Sequence, residues 1–152
     1  EGDVVIELYA GAGLFTKFLG RELGPRGAIV SIEGSKEAVG YARENLRGVE
    51  VDRDLRAGRV NSKSIMRAWS DLGERPRTIV LDPPRSGAGK DVIGALAAVG
   101  ASRVVLVSCD PAAGARDLAG LFDAGYELEA FTALDLFPQT HHVEIVSVLT
   151  RK

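Results

Sequence analysis

The chain lacks most features that mark secreted, membrane-spanning or nucleic-acid-coating proteins. It has one cysteine in 152 residues and so cannot form an internal disulfide, which fits a reducing, cytoplasmic setting. No apolar run approaches the roughly 20 residues of a membrane-spanning helix, and no signal-peptide pattern stands at its start. Basic residues are not in excess, since 19 Lys and Arg stand against 21 Asp and Glu. That balance argues against a free-standing nucleic-acid surface, because phosphate contacts need clustered cations.

The composition that remains is that of one globular domain. A hydrophobic content of 45% and a charged content of 26% are ordinary for such a domain, and the length suffices for a sizeable core. Repeats, low-complexity segments and linkers are not visible. Residues 1–3 lead at once into an apolar strand without an initiator Met. We therefore expect residues 1–152 to be one domain whose N-terminal neighbour is missing.

Strand-like and helix-like segments alternate along the chain. We expect strands at residues 4–9, 28–32, 49–60, 78–81, 103–107, 126–136 and 143–150, and helices at residues 14–23, 35–47, 62–72, 91–99 and 112–122. The third strand is the least clear, and we expect a loop inserted in it near residues 52–57. This alternation predicts an α/β fold with a mainly parallel sheet and helices on both faces. The last two strands have no helix between them, which predicts an antiparallel pair at one edge.

A glycine turn follows the first strand, in the sequence ELYAGAG at residues 7–13. A plain strand-to-helix turn is one interpretation of this motif. The dinucleotide fingerprint would need a third glycine at position 16, where Thr16 stands. Glu33 ends the second strand about 20 residues later, where nucleoside-binding folds place an acid on ribose hydroxyls; a solvated strand-end Glu is the alternative. Together these features predict an adenosine-containing cofactor without a pyrophosphate, and S-adenosylmethionine fits.

Two further motifs follow strands of the second half. Asp82 begins DPPR at residues 82–85, and the only cysteine lies in SCDP at residues 108–111. Asp110 is a good N-cap and Pro111 suits the first helical position. A thiol at a helix N-terminus feels the positive end of the helix dipole, which favours the thiolate. The alternative is a small buried apolar residue, since free cysteine is often buried.

These motifs form a set with two others, ARDL at residues 115–118 and FPQTHHVE at residues 137–144. Together with ELYAGAGLFT at residues 7–16, the set closely resembles the S-adenosylmethionine-dependent RNA uracil-5 methyltransferases, which modify tRNA or ribosomal RNA. The resemblance covers nearly the whole chain. It implies a class I methyltransferase, Rossmann-like sheet of about seven strands. It also implies an RNA substrate, and a family RNA-binding β-barrel domain that is absent from this sequence.

The resemblance also implies roles for individual residues. Cys109 is expected to be the nucleophile that adds to C6 of uracil, and Glu144 the base that later removes the C5 proton. The positions that match the cofactor contacts of the family are Tyr9, Gly11, Gly13, Glu33 and Asp82. No metal, membrane contact or obligate protein partner is expected.

Glu144 also stands out without the resemblance, because it interrupts an apolar strand that looks buried on both faces. A buried carboxylate needs a partner or a task, although a Glu at a strand start can also reach solvent. His141 and His142 lack the supporting ligand spacing of a metal site, so we expect them to be loop residues near the base.

Two positions depart from the family pattern. Asp110 stands where Asn is commoner, and a carboxylate beside the thiol opposes thiolate formation. Asn61 or a neighbour occupies the end of the third strand, where an acid or amide often meets adenine.

Two other functions remain compatible with parts of the sequence. An amino-methyltransferase could use Asp82-Pro83-Pro84 to accept hydrogen bonds from a target amine, and it would not need Cys109 or Glu144. A catalytically silent domain could bind the cofactor or support an RNA-binding partner domain without turnover.

Overall fold

Seven strands form one sheet in the order β3-β2-β1-β4-β5-β7-β6 in the computed structural model, which describes residues 2–136, 138–140 and 143–151. The strands are β1 (Val4–Leu8), β2 (Ala28–Glu33), β3 (Asp52–Ala57), β4 (Thr78–Leu81), β5 (Arg103–Ser108), β6 (Tyr126–Leu134) and β7 (Glu144–Arg151). The helices are α1 (Leu14–Leu23), α2 (Lys36–Asn45), α3 (Ser62–Leu72), α4 (Gly89–Val99) and α5 (Pro111–Asp123). The predicted α/β class is confirmed.

The first five strands are parallel, and β7 runs antiparallel to both β5 and β6. A parallel pair needs a crossover, which each helix supplies, whereas β6 and β7 follow each other directly. The expected antiparallel pair at one edge is confirmed. The strand order reverses between β1 and β4, and in open sheets of this kind the ligand crevice lies at that reversal, beyond the carboxyl ends of the strands.

Alternating strand residues divide the core into two clusters on opposite faces of the sheet. Ile6 and Leu8 of β1 belong to the cluster that includes residues of α3, α4 and α5. Val5 belongs to the other cluster, which includes residues of α1 and α2. Strand side chains point to the two faces in turn, so the apolar run at β1 is buried on both faces. None of the helices in the described part of the chain has the length and apolar content needed to cross a membrane.

The third strand corrects the sequence-based expectation. Residues 52–57, expected as an inserted loop, are themselves β3, which pairs in parallel with β2 from Ala28↔Asp52 to Glu33↔Ala57. The strand is polar because it forms an edge of the sheet and is largely exposed. The apolar Val49 and Val51 lie before it and are buried against the second core cluster. Hydrophobic patterning therefore marked the buried connection rather than the strand.

Candidate active site

Two adjoining clefts open at the carboxyl edge of the sheet. The first cleft has a volume of about 640 Å³ and is lined by Tyr9, Glu33, Gly34, Arg59, Val60, Asp82, Pro84, Ser86, Gly87 and Ala88. The second cleft has a volume of about 740 Å³ and is lined by Phe15, Phe18, Leu19, Val80, Asp82, Val105, Val107, Cys109, Leu134, Leu136, Glu144 and Val146. Asp82 lines both. The structure therefore places a carboxylate where the two clefts meet, at the end of β4.

The glycine turn forms a tight passage from β1 into α1. Gly13 is the N-cap of α1 and has φ +84°, a left-handed conformation that side chains rarely adopt. A Cβ at this position would lie 3.1 Å from Cβ of Ala42 in α2. The N–H of Gly11 donates a hydrogen bond to Oε2 of Glu33 at 2.8 Å. The turn therefore needs glycine at position 13 and is held against the end of β2.

Glu33 is half-buried at the wall of the first cleft. Its Oε1 accepts the N–H of Ser35 at 2.7 Å, and its Oε2 accepts the N–H of Gly11. A carboxylate has about four lone-pair positions, so two acceptor positions remain. Glu33 can thus brace the glycine turn and still accept hydrogen bonds from hydroxyl groups in the cleft.

A buried polar network lies beneath the glycine turn, and the sequence patterns did not reveal it. Oε2 of Glu7 accepts the hydroxyls of Thr16 at 2.5 Å and Ser31 at 2.7 Å. All three residues are at most 2% exposed. Burial raises the pKa of Glu7 above its ordinary value, and the two hydroxyls oppose that shift. Thr16, which replaces the third glycine of a dinucleotide fingerprint, therefore serves as a buried donor to Glu7.

Tyr9 follows β1 directly and lines the first cleft. Its φ of 62° is one of two positive values at non-glycine residues in the described part of the chain. Backbone conformations of this kind cost free energy and often mark functional sites. Partial burial raises the pKa of Tyr9, and the carboxylate of Asp117 raises it further.

Cys109 lies between the end of β5 and the start of α5 and is a half-buried free thiol. Oδ1 of Asp110 accepts the N–H of Ala113 at 2.7 Å, and Pro111 is the first helical residue, so the predicted cap is confirmed. This bond directs one carboxylate oxygen of Asp110 to the helix backbone.

The antiparallel pairing of β5 and β7 explains why Cys109 and Glu144 meet. Ser108 is paired with Ile145, and Cys109 and Glu144 are the next residues outward on the two strands. Both line the second cleft. Glu144 is only partly buried, and so are Ile145 and Val146. The expectation of a strand buried on both faces at this point was wrong, because one face of β7 borders the open second cleft.

Two carboxylates thus lie near the thiol. Partial burial raises the pKa of Asp82, and the negative charge of Glu144 raises it further. Asp82 and Glu144 both line the second cleft. The histidines expected beside the base, His141 and His142, lie outside the described residues, and the described residues contain no group of three or more His, Cys, Asp or Glu that could hold a metal ion.

Several lining residues were missed by sequence reasoning. Phe15 and Phe18 from α1 face the second cleft together with Leu134 and Leu136. Phe18 is 58% and Leu136 59% exposed. The sequence of α1 contains a signal for this surface. Apolar residues at positions 14, 15, 18 and 19 are more than one buried stripe of a helix needs, which indicates that some of them face a cleft.

The sequence left open whether Asn61 or a neighbour stands where an acid or amide often meets adenine. Asn61 is the N-cap of α3, and its Oδ1 accepts the N–H of Ser64 at 2.9 Å. Its neighbours Arg59 and Val60 line the first cleft instead. β3 ends at Ala57, before Asn61, and of the positions that the sequence offered it is the neighbours that border the cleft.

Comparisons with solved structures define the class of fold. Fibrillarin from Aeropyrum pernix, solved with S-adenosyl-L-methionine, matches with a TM-score of 0.71 at 18% identity over 97% of this chain and 66% of its own, and shows the fold alone. The tRNA (uracil-54, C5)-methyltransferase of Pyrococcus abyssi, solved with S-adenosyl-L-homocysteine, matches with a TM-score of 0.77 at 27% identity. That match covers 99% of this chain and 35% of the other. The fold is that of S-adenosylmethionine-dependent methyltransferases.

The sequence comparisons place the chain within that class. The family model described as tRNA (Uracil-5-)-methyltransferase matches residues 1–152, and the chain belongs to this family. An uncharacterized RNA methyltransferase of Streptomyces avermitilis is 44% identical over 149 residues, covering 98% of this chain and 33% of the relative. Another from Bifidobacterium longum is 46% identical, covering 97% and 34%. The chain thus spans about a third of the length of these relatives.

Proposed function

We propose that this chain transfers a methyl group from S-adenosylmethionine to C5 of a uridine in tRNA or ribosomal RNA, through a covalent adduct between Cys109 and C6. The observation that carries the proposal is the register of β5 and β7, which brings Cys109 and Glu144 to one cleft. That cleft joins the first cleft at Asp82. A nucleophile, a base and a cofactor cleft are thereby contiguous. Family membership supports the choice of uracil C5.

The first cleft fits S-adenosylmethionine in size and in donor set. Its volume of about 640 Å³ lies within the range of small-molecule sites. Tyr9 and Asp82 would hold the cofactor from two adjacent strand ends, and the free lone pairs of Glu33 suit ribose hydroxyls. Because Gly11 and Gly13 have no side chains, a ligand can approach the backbone of the turn closely. When bound, this cofactor supplies an electrophilic methyl group.

The second cleft fits a pyrimidine base. Its walls are largely apolar and include Phe15 and Phe18, while its polar groups are Asp82, Cys109 and Glu144. Enzymes that modify a base commonly take it out of the stack and read it between apolar or aromatic side chains. A uracil in this cleft would lie among apolar side chains, and the thiol of Cys109 would approach C6 from one face of the ring, perpendicular to its plane.

The chemistry explains why both Cys109 and Glu144 are needed. C5 of uracil is a poor nucleophile until the thiolate of Cys109 forms a bond to C6, which makes C5 enolate-like. C5 would then form a bond to the methyl carbon as the bond from that carbon to the cofactor sulfur breaks, and the electron pair of the broken bond would stay on the sulfur of the departing S-adenosylhomocysteine. The carboxylate of Glu144 removes the C5 proton, and the electron pair of that C–H bond re-forms the C5=C6 double bond as the C6–S bond breaks. The thiolate is regenerated, so a free cysteine in a reducing, cytoplasmic setting suits the cycle.

RNA recognition by the whole protein is a further part of the proposal. We infer that residues 1–152 form the catalytic domain and that other parts of the protein supply most RNA contacts. The net charge of −2 offers little attraction for phosphates. The chain also spans only about a third of the relatives it matches.

The identity of the methylated nucleoside tests this function against its alternatives. The full-length protein is incubated with methyl-labelled S-adenosylmethionine and RNA, and the digested nucleosides are separated by mass spectrometry. We expect 5-methyluridine from the wild type and from the matched control Asp123→Asn, which alters an exposed residue at the end of α5. Cys109→Ala should abolish it. Methylation of an exocyclic amine that survives Cys109→Ala would favour the amino-methyltransferase, and cofactor binding without any methylation would favour the silent domain.

A further inference from the structure

Asp117 has a buried carboxylate that takes no part in the chemistry proposed for Cys109 and Glu144. It lies in α5, the helix that begins beside Cys109, and is 4% exposed. Its Oδ2 accepts the N–H of Ala88 at 2.6 Å, and its Oδ1 accepts the N–H of Gly89 at 3.1 Å. These two donors belong to the N-terminus of α4. A buried carboxylate on a free helix N-terminus is a strong, charge-assisted arrangement.

The contact replaces a cap that α4 does not supply for itself. The N-cap residue of α4 is Ala88, whose methyl group cannot accept a hydrogen bond. Asp117 therefore satisfies two of the N–H groups that every helix leaves without an intrahelical partner at its start. Because the capping side chain belongs to α5, it holds α4 against α5 as well as supplying hydrogen-bond acceptors to the first N–H groups of α4.

The residues that Asp117 holds also form a wall of the first cleft. Ser86, Gly87 and Ala88 line that cleft, and the N–H of Gly87 closes a turn on the carbonyl of Pro84 at 2.8 Å. Gly87 has φ +84°, and a Cβ there would lie 2.8 Å from Oδ2 of Asp117. The close approach of the carboxylate to this loop thus depends on glycine. The neighbouring Arg116 makes a longer contact of 3.5 Å with the carbonyl of Ser86.

We propose that Asp117 is a positioning residue for methyl transfer, which holds the wall of the cofactor cleft at residues 86–88 against the helix that begins beside Cys109. The helix α5 would then position residues of both clefts. It begins beside Cys109 in the second cleft, and through Asp117 it holds residues 86–88 in the wall of the first cleft. The inference rests on the proposed assignment of the first cleft to S-adenosylmethionine. It does not depend on uracil being the substrate.

Calorimetric titration with S-adenosylhomocysteine tests this role without RNA. In the full-length protein, Asp117→Ala should weaken binding by about tenfold or more, since hydrogen bonds to a charged group are among the stronger ones. Asp117→Asn keeps one acceptor oxygen but turns an NH₂ towards a donor, so it should fall between Asp117→Ala and the wild type. Asp123→Asn, on the same helix, should bind as the wild type does.

A melting curve for each variant separates positioning from plain stability. If both Asp117 variants melt at lower temperature but bind S-adenosylhomocysteine with wild-type affinity well below their melting points, Asp117 is only a helix cap and the proposal is overturned. If Asp117→Ala does not fold, the isosteric Asp117→Asn decides alone, with unchanged affinity as the contrary result. A wild type that binds S-adenosylhomocysteine but methylates no uridine would refute the proposed function and leave the role of Asp117 standing.

Discussion

The buried network beneath the glycine turn gives a quantitative test of how the site is supported. Thr16→Val removes the hydroxyl that donates to Glu7 at 2.5 Å while keeping the shape of a side chain that is fully buried. Oε2 of Glu7 then retains the Ser31 hydroxyl at 2.7 Å, and Oε1 already has no hydrogen-bond partner among the described residues. The variant therefore removes one of the two hydroxyl donors to a buried carboxyl group, which keeps the Ser31 hydroxyl and the backbone N–H of residue 16.

The expected loss follows from the strength of such a bond. A neutral hydrogen bond contributes about 1 kcal/mol to the free energy of unfolding, and one to a charged group about 1.5–3 kcal/mol. We expect Thr16→Val to lower the free energy of unfolding by about 2 kcal/mol. For a domain of this size, that corresponds to a fall of about 4–8 °C in melting temperature.

Urea unfolding at pH 7, followed by circular dichroism, measures this loss. The matched control is Thr132→Val, the same chemical change at an exposed position of β6, which should alter stability by no more than about 0.5 kcal/mol. Thr16→Ser keeps the hydroxyl but deletes a buried methyl group, so it should lose about 1 kcal/mol, less than Thr16→Val. If Thr16→Val were no more destabilised than Thr132→Val, the hydrogen bond to Glu7 would contribute nothing and the argument for this network would be refuted.

Three further predictions concern the pH response, the turn and the base. Burial raises the pKa of Glu7 above its ordinary value of 4.5, so the folded chain keeps a proton on Glu7 at pH values where the unfolded chain has lost it, and stability falls as the pH rises through that range. Glu7→Gln should remove this part of the fall in urea titrations from pH 4 to 8. A pH profile of stability unchanged by Glu7→Gln would contradict the prediction. Gly13→Ala should lower the free energy of unfolding by about 1–2 kcal/mol, because a side chain at φ +84° is strained and meets Ala42. Calorimetry should also show weaker binding of S-adenosylhomocysteine. Wild-type stability together with wild-type affinity would count against the turn geometry. Glu144→Gln should accumulate a methylated protein–RNA adduct on ordinary RNA, visible by denaturing electrophoresis and mass spectrometry, because the C5 proton is no longer removed; rapid release of 5-methyluridine would exclude Glu144 as the base.

The strands that carry the site could be predicted because their residues are apolar on both faces. Val5 and Ile6 are buried on opposite faces of β1, and such runs bounded by turns are readable without knowledge of partners. The edge strand β3 has no such signal: its residues are largely exposed, and only pairing with β2 makes it a strand. Backbone pairing between distant segments is not encoded in local hydrophobicity.

The candidate site shows the same division. Motif residues such as Cys109 and Asp82 follow strands directly, so the parallel topology brings them to one edge. Asn61 could not be placed, because the choice between capping α3 and facing the cleft depends on where β3 ends. Phe18 lies in α1, directly after the glycine turn, whereas Leu134 ends β6, and only the folded arrangement places the two in one cleft.

Substitution of 5-fluorouridine for uridine tests the central claim most directly. The full-length protein, RNA containing 5-fluorouridine at the target position and S-adenosylmethionine are incubated together. With fluorine in place of hydrogen at C5, the base has no C5 proton to remove, so elimination of the thiolate is blocked after methyl transfer. We predict a protein–RNA adduct that survives denaturation, is linked through Cys109, is absent in Cys109→Ala and is retained in Asp123→Asn. If the wild type methylates ordinary RNA but forms no adduct, and Cys109→Ala keeps the wild-type rate, the covalent mechanism proposed for this chain is contradicted.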